Sequence, residues 1–361
     1  MTIRLGTRRS ALATTQATWV ADRLRALGHQ VELVEITTFG DTSSRPLAEI
    51  GGTGVFATGI RLALQRDEID VAVHSLKDLP TVPESGLQIA AIPTREDPRD
   101  ALVAGAGRTL RQLPAGATVG TGSPRRAAQL AALGQGLQVR AIRGNVGTRL
   151  AHVSEGRLDA IVLARAGLAR LGQLDLVTEV LAPEQVLSAP GQGALAVEVR
   201  ADDEAMVSAV AALDDPQTRT CVTAERALLS ELEAGCTAPV GALAEIDGAA
   251  QEDARLVLRA FVGTLDGSVA LCRSAAGPTD DAESLGRVLA RRLLAAGADR
   301  ITAQPPFIPD APDDSAHPTG GDRPPTGSPH QRAGADAPDR PPAARPSTSP
   351  RPDQPAPERA Q

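Results

Sequence analysis

The stretch Ile69–Pro80, IDVAVHSLKDLP, sets an ammonium and a carboxylate, Lys77 and Asp78, directly behind a short apolar run. Ile69 to Val73 has the β-branched character of a strand buried on both faces, and Pro80 ends the stretch. In open α/β sheets ligands gather beyond the carboxyl ends of strands, so this strand is expected to deliver Lys77 and Asp78 into a crevice. Taken alone, the pair reads equally well as a solvated turn.

Three other stretches bear on the choice. Gly6-Thr7-Arg8-Arg9-Ser10, Gly122-Ser123-Pro124-Arg125-Arg126 and Arg143-Gly144-Asn145-Val146-Gly147-Thr148-Arg149 each open a predicted helix. Ser123 is placed to cap the second, with Pro124 at its first helical position. A helix start carries partial positive charge, and a cation there costs roughly 0.3–1 kcal/mol. Arginine at three such starts is best relieved by a bound anion, which would use the guanidinium forks and the free amides together. Solvated arginines on exposed first turns are the plainer reading of any one start. In a doubly wound sheet all three starts lie at the end where Lys77 and Asp78 emerge. The implied ligand carries several acidic groups. Asp78, a carboxylate in a basic cleft, then suits an N–H or a developing cation on that ligand.

Composition removes other classes. Net charge is −7, with four Phe, one Trp and no Tyr, so neither a basic field nor stacking platforms favour nucleic acid. Gly51–Gly54 lacks the Lys-Ser/Thr of a P-loop. No run is apolar enough to span a bilayer, and MTIRLGTRRS has no apolar signal region, so a cytoplasmic protein is expected. Cys221, Cys236 and Cys272 are an odd set without metal-site spacing. On residue type each reads as a small buried hydrophobe, Cys221 in a helix and Cys272 in a strand more plainly than Cys236 in its Gly-flanked loop. His29, His74 and His152 lack partners at triad or metal-site spacing, so no metal site and no catalytic histidine are assigned.

The elements needed to hold these residues follow from periodicity. Strands at Ile3–Gly6, Val31–Thr37, Ile69–Val73 and Leu87–Ile92 alternate with helices at Ser10–Leu27 and Val55–Arg66, which argues for a parallel, doubly wound sheet. Between them, Thr38–Gly54 is a Gly-, Ser- and Pro-containing loop of the length of a lid. PTREDPRD (93–100) reads as a crossing into a second alternating run, with helices at Pro124–Leu133, Asn145–Glu155 and Arg165–Leu171. After APGQG, the strand Ala194–Val199 could return to the first sheet, giving two lobes joined by two crossings around a hinged cleft. A helix at Thr218–Leu232, three successive strands and a helix at Ala282–Ala296 suggest a small α+β domain, and the Pro-rich chain from Pro305 onward is expected to be disordered.

Together the pieces GTRRSALA (6–13), VAVHSLKDLP (71–80), REDPRDAL (95–102), GTGSPRRAAQL (120–130), RGNVGTRL (143–150), LARAGLARLG (163–172), PGQGALAVE (190–198) and TAERALLSELEAGCTAPVG (223–241) resemble, in order, the hydroxymethylbilane synthase (porphobilinogen deaminase) family. The resemblance runs from Ile3 to about Asp299. It implies an α/β fold of two doubly wound periplasmic-binding-protein-like (type II) lobes, 1–93 with 194–212 and 94–193, an α+β domain at 213–304 and a tail at 305–361. It implies a dipyrromethane cofactor joined to Cys236 by a thioether. Four porphobilinogens would be added to this primer with loss of ammonia, and the linear tetrapyrrole released by hydrolysis. Asp78 matches the catalytic aspartate and is carried over as cofactor-binding as well, and Lys77 is carried over beside it in both roles. Ser123, Arg125 and Arg126 match cofactor-binding positions. Arg8, Ser10, Arg143, Arg149 and Arg170 match carboxylate-binding positions, Gln192 an interlobe position and Phe56 an apolar lid contact. Phe39, Glu49 and Thr53 depart from the lid pattern of relatives. The family implies a cytoplasmic monomer that needs no metal and passes its product to uroporphyrinogen-III synthase. A solute-binding protein with the same hinged lobes is the main alternative, and Cys236 discriminates, because only the synthase carries two pyrrole units there. A third reading, an interaction protein working through the tail, rests on composition alone.

Overall fold

The computed structural model describes residues 2–37, 55–235, 238–248, 254–302 and 307. The lid segment 38–54, Cys236 and, but for Phe307, the tail from 305 lie outside them, as do the side chains of Val55 and Phe56. The first run of elements is β1 (Thr2–Arg8), α1 (Ala11–Ala26), β2 (Gln30–Ile36), α2 (Val55–Gln65), β3 (Val71–Ser75) and β4 (Leu87–Ala91). The second is β5 (Asp100–Ala104), β6 (Thr118–Thr121), α3 (Pro124–Ala132), β7 (Gln138–Ala141), α4 (Val146–Ser154), β8 (Ala160–Ala164), α5 (Arg165–Arg170) and β9 (Glu179–Val180). There follow β10 (Leu195–Arg200), α6 (Glu204–Ala211), α7 (Pro216–Glu231), β11 (Val240–Asp247), β12 (Arg255–Gly263), β13 (Ala270–Pro278), α8 (Ala282–Ala295) and α9 (Ala298–Thr302).

Two five-stranded sheets share one plan. The orders are β2-β1-β3-β10-β4 and β7-β6-β8-β5-β9. In each, four strands run the same way and one, β10 or β5, runs against both of its neighbours. The expected parallel, doubly wound arrangement holds for all but that one strand of each sheet. β10 and β5 enter from the crossings rather than by a helical crossover, and a strand entering from the opposite end pairs antiparallel.

Successive side chains on a strand face opposite ways, and both sheets use this to bury two faces. In the second sheet Leu102, Ala104, Ala160 and Val162 pack with Leu130 of α3. Their neighbours Ala101, Val103, Ile161 and Leu163 pack on the other face with Val146 and Leu150 of α4 and Leu168 of α5. In the first, Ile3, Leu5, Val71, Val73 and Val197 meet Val20 and Leu24 of α1 and Met206 and Val210 of α6, while Ala72 meets Ile60 and Leu64 of α2. The helix α6 was not anticipated from sequence. Each fully buried leucine contributes roughly 1.5–3 kcal/mol relative to exposure, so an aliphatic core suffices without aromatics.

The three-stranded antiparallel sheet β11-β12-β13 packs one face on α7 and α8, through Leu256 and Leu258 against Leu228, Leu289 and Leu293. Cys221 on α7 is half-buried, whereas Cys272, expected to be buried, is exposed, because β13 is an edge strand with one side open.

The two crossings touch each other. Glu96 N donates to the Gly193 carbonyl (3.3 Å) and Arg95 Nε to the Gln192 carbonyl (2.7 Å). Gly193 sits at φ 89°, and a Cβ there would run into the Glu96 carbonyl oxygen. Gly193→Ala is expected to cost on the order of 1–3 kcal/mol in a denaturant melt, through left-handed strain together with loss of the contact between crossings.

Candidate active site

Parallel register explains why the chemistry gathers at one end of each sheet. Gly6 pairs Ala72 across β1 and β3, so Arg8 and Ser10 leave the first sheet at the end where Lys77 and Asp78 leave it. Thr121 pairs Ala141 and Gly120 pairs Ile161, so Ser123, Arg125 and Arg126, then Arg143 and Arg149, leave the second sheet together. Arg8 itself ends β1 rather than opening α1. Side chains cap all three helices: Ser10 accepts from Ala13 N (3.3 Å), Ser123 from Arg126 N (3.5 Å) and Asn145 from Thr148 N (2.9 Å).

β3 is longer at its carboxyl end than its apolar run suggested, and takes in His74 and Ser75. His74 points away from the site, its Nε2 3.2 Å from Glu198 Oε2, and Glu198 also takes two bonds from Arg61 (2.8 and 3.0 Å). Ser75 Oγ accepts from the buried Gln16 amide (3.0 Å). A single 3₁₀ turn, Leu76–Asp78, then turns Lys77 and Asp78 outward. Lys77 is half-buried and Asp78 exposed.

The centre of the cluster is a residue sequence reasoning missed. Asp100, the first residue of β5, is 0% exposed. Its Oδ1 accepts from Arg126 Nη2 (2.8 Å) and Gln192 Nε2 (2.8 Å), and its Oδ2 lies 2.8 Å from Arg125 Nη2. Arg125 also donates to the Leu187 carbonyl and Arg126 to the Val162 carbonyl (3.1 Å). Gln192 links this cluster to the first sheet: its Oε1 accepts from Lys77 Nζ (3.4 Å) and Arg126 Nη2 (3.4 Å). Burial alone would raise the Asp100 carboxyl, but the Arg125 and Arg126 charges overcome it and hold it far below the usual carboxylate range. The anion that relieves the start of α3 is thus, in part, the protein's own. The signal in the sequence was an aspartate heading the apolar run Asp100–Ala104, where an unpartnered charge could not be buried.

The neutralisation is incomplete. Two guanidiniums and an ammonium surround one buried carboxylate, and the Nε atoms of Arg125 and Arg126 are buried without a hydrogen-bond partner. Burial pushes the Lys77 ammonium down to about 8, with Asp78 opposing that shift and Arg126 reinforcing it. Arg149, whose Nε donates to the Gly144 carbonyl (2.9 Å), is pushed down to about 10 by burial and by Arg126 and Arg143. Arg170 donates to the Gly193 carbonyl (2.6 Å). The arrangement can hold several carboxylates, with Asp78 left in the open to meet positive charge. Lys77, Asp78, Arg125, Arg126 and Gln192 are one cluster, and Arg149, which feels the charges of both Arg126 and Arg143, borders it. Cys236, Phe39, Glu49 and Thr53 lie outside the described residues, and Phe56 is described only by its backbone.

The helix α7 braces this cluster. Glu225, 0% exposed, accepts from Arg95 (2.7 and 3.0 Å), Gly191 N (2.6 Å) and Ala244 N (2.9 Å), so one carboxylate ties both crossings to β11. Among the described residues no group of His, Cys, Asp and Glu is arranged to hold a metal ion.

Removing the Asp100 charge would leave two guanidiniums buried together. Asp100→Asn is expected to lose about 3–5 kcal/mol of stability in urea titration. Lys77 gives a pH signature. Its folded value near 8 lies below the unfolded 10.5, so the unfolded chain binds the extra proton between them and stability rises with pH across that window. In protein free of bound anion, Lys77→Met should flatten the stability curve between pH 8 and 10.5, measured as the difference from the parent chain.

Residues 3–208 match the family model described as porphobilinogen deaminase, dipyromethane cofactor binding domain, and residues 219–295 match the porphobilinogen deaminase C-terminal domain. The porphobilinogen deaminase of Mycobacteroides abscessus is 56% identical over 300 residues, spanning 82% of this chain and 98% of that protein. The one from Mycobacterium bovis (strain BCG) is 57% identical over 300 residues, spanning 82% and 97%. Among solved structures, a crystal structure of a methionine binding protein has a TM-score of 0.38 at 13% identity, covering 59% of this chain and 89% of the other. With both models matched in sequence order and relatives more than half identical over nearly their whole length, the chain belongs to the porphobilinogen deaminase family.

Proposed function

We propose that the chain is a transferase, a hydroxymethylbilane synthase. It condenses four porphobilinogens head to tail on a dipyrromethane primer, with loss of ammonia at each addition, and releases the tetrapyrrole by hydrolysis on the way to heme and other porphyrins. The observation that carries this reading is the single cluster in which Lys77, Arg125, Arg126 and Gln192 surround Asp100 beside the exposed Asp78. Each pyrrole bears an acetate and a propionate, so the growing chain is a polyanion, and the guanidinium fork matches a carboxylate.

The residues fit the cofactor. The buried, unpartnered Nε atoms of Arg125 and Arg126 and the charge surplus around Asp100 suit an acidic group. Lys77, Ser123, Arg125 and Arg126 would hold its carboxylates, with Cys236 as the point of attachment. The dipyrromethane supplies the free pyrrole position to which new units are joined. Arg8, Ser10, Arg143, Arg149, Arg170 and Gln192 would take the acidic groups of incoming porphobilinogen, with Phe56 as an apolar contact. Loss of ammonia leaves positive charge on the substrate ring, spread onto its nitrogen, and the Asp78 carboxylate would steady it.

Sheet membership supports functional units at 1–93 with 194–212, at 94–193 and at 213–304, since each sheet draws all its strands from one of these ranges. The same reading has the enzyme work as a cytoplasmic monomer and hand its product to uroporphyrinogen-III synthase.

Asp78→Asn is expected to keep the fold and the covalent primer while turnover falls on the order of 10²–10³-fold. Intact mass should show two pyrrole units on the parent chain and on Asp78→Asn, and none on Cys236→Ser. An unmodified parent chain that binds small acids without consuming them would make it a solute-binding protein instead.

A further inference from the structure

Asp78 is exposed, so side-chain packing does not fix it and its position is set by the turn that carries it. That turn is one 3₁₀ turn, closed by Leu79 N to the Leu76 carbonyl (3.2 Å), and short 3₁₀ turns have poor hydrogen-bond geometry. On one side it rests against the Gln192 loop, where Leu76 N donates to the Ala194 carbonyl (3.0 Å). On the other stands Arg226 of α7, a residue to which the sequence reading gave no role. Its Nη1 donates to the carbonyls of Leu79 (3.1 Å) and Leu76 (3.4 Å), and its Nη2 to the carbonyl of Pro80 (2.6 Å). These three carbonyls bracket Lys77 and Asp78 in the chain. The site is costly for a cation: burial pushes the guanidinium down to about 10, and Arg61 adds repulsion. A planar fork spreads its donors over two rigidly linked nitrogens and so reaches carbonyls strung along the turn, whereas an ammonium offers its three donors from a single atom.

We propose that Arg226 is a positioning residue for the reaction: by clamping the carbonyls of Leu76, Leu79 and Pro80 it fixes where the Asp78 carboxylate stands. The helix α7, which is braced to both crossings through Glu225, thereby also holds the turn that carries Asp78. This rests on the role proposed above for Asp78.

Arg226→Gln and Arg226→Lys test it on the primer-loaded enzyme, through intact mass, kcat, KM, melting temperature and amide exchange of the peptide spanning Leu76–Pro80. Displacement of a reacting group by about 1 Å costs on the order of 10²-fold. The expected result for Arg226→Gln is therefore a fall in kcat of that order, with KM within about threefold, full primer mass and faster exchange at the Leu79 amide. Arg226→Lys, which keeps the charge but not the fork, should fall between Gln and the parent. A lowered melting temperature with unchanged kcat would overturn the proposal, as would a lysine variant equal to the parent or unchanged exchange at Leu79. If Arg226→Gln does not fold, Arg226→Lys is read by the same criteria. Should Asp78→Asn itself turn over normally, the functional reading fails separately, while the exchange measurement still reports whether Arg226 holds the turn.

Discussion

A carboxylate sealed from water between two guanidiniums is the constraint on which the site depends. Asp100 cannot be buried without Arg125 and Arg126, and they cannot be buried without it. The arithmetic of charge then matters more than any single distance. One negative charge against two guanidiniums and the Lys77 ammonium is enough to let the group fold and too little to neutralise it. A fully balanced network would have no call on an outside anion, and an unbalanced one without Asp100 would repel itself apart. The residual positive charge, in a place where water screens it poorly, is what makes a site for a polyanion.

The same constraint fixes geometry across the sheets. Asp100 begins the strand that runs against its neighbours in the second sheet, at the exit of one crossing, and Gln192 lies in the other. Gln192 can touch Asp100, Arg126 and Lys77 at once because both crossings are pinned together at Gly193 and braced by Glu225 on α7. An amide side chain suits that junction, since it donates to the carboxylate with one end and accepts from cations with the other. The linkage from the first sheet to the second is therefore polar and directional, unlike the aliphatic packing inside each lobe, which is tolerant of small shifts.

How much of this could be read from the chain alone follows from the range of each interaction. Lys77 and Asp78 were visible because a strand ending in polar residues is a local pattern. Arg125 and Arg126 were visible because a cation at a helix start contradicts a local electrostatic rule. Asp100 reads as part of a charged crossing, since the apolar run behind it is its only local mark and its partners Arg126 and Gln192 stand 26 and 92 residues away. Arg226 carries no local mark in the sequence, and its bonds exist only where α7 meets the turn that carries Asp78. The apolar run ends at Val73, yet His74 lies inside β3 with its Nε2 3.2 Å from Glu198 on β10, a neighbour no local pattern reveals. The running direction of β5 and β10 was lost for the same reason: alternation predicts elements, whereas direction depends on the end from which the chain enters the sheet. The family resemblance supplied Gln192, for which neither periodicity nor spacing gave any sign.

The contrast between the two aspartates carries the last step. Asp100 and Asp78 bear the same group within one electrostatic neighbourhood, since both pull against the burial of Lys77. Asp100 is consumed by its partners: its carboxylate is spent on arginines and an amide, and what it offers a ligand is the orientation of those donors. Asp78 is exposed, and it sits on a turn whose backbone, rather than its side chain, is tied down. A carboxylate that must meet a transient cation needs this combination, a fixed origin with unspent lone pairs, because reorganising the charge during the reaction would forfeit the stabilisation. Burial of one aspartate and exposure of the other are thus set by the backbone direction at the ends of β3 and β5, not by the chemistry of the side chain.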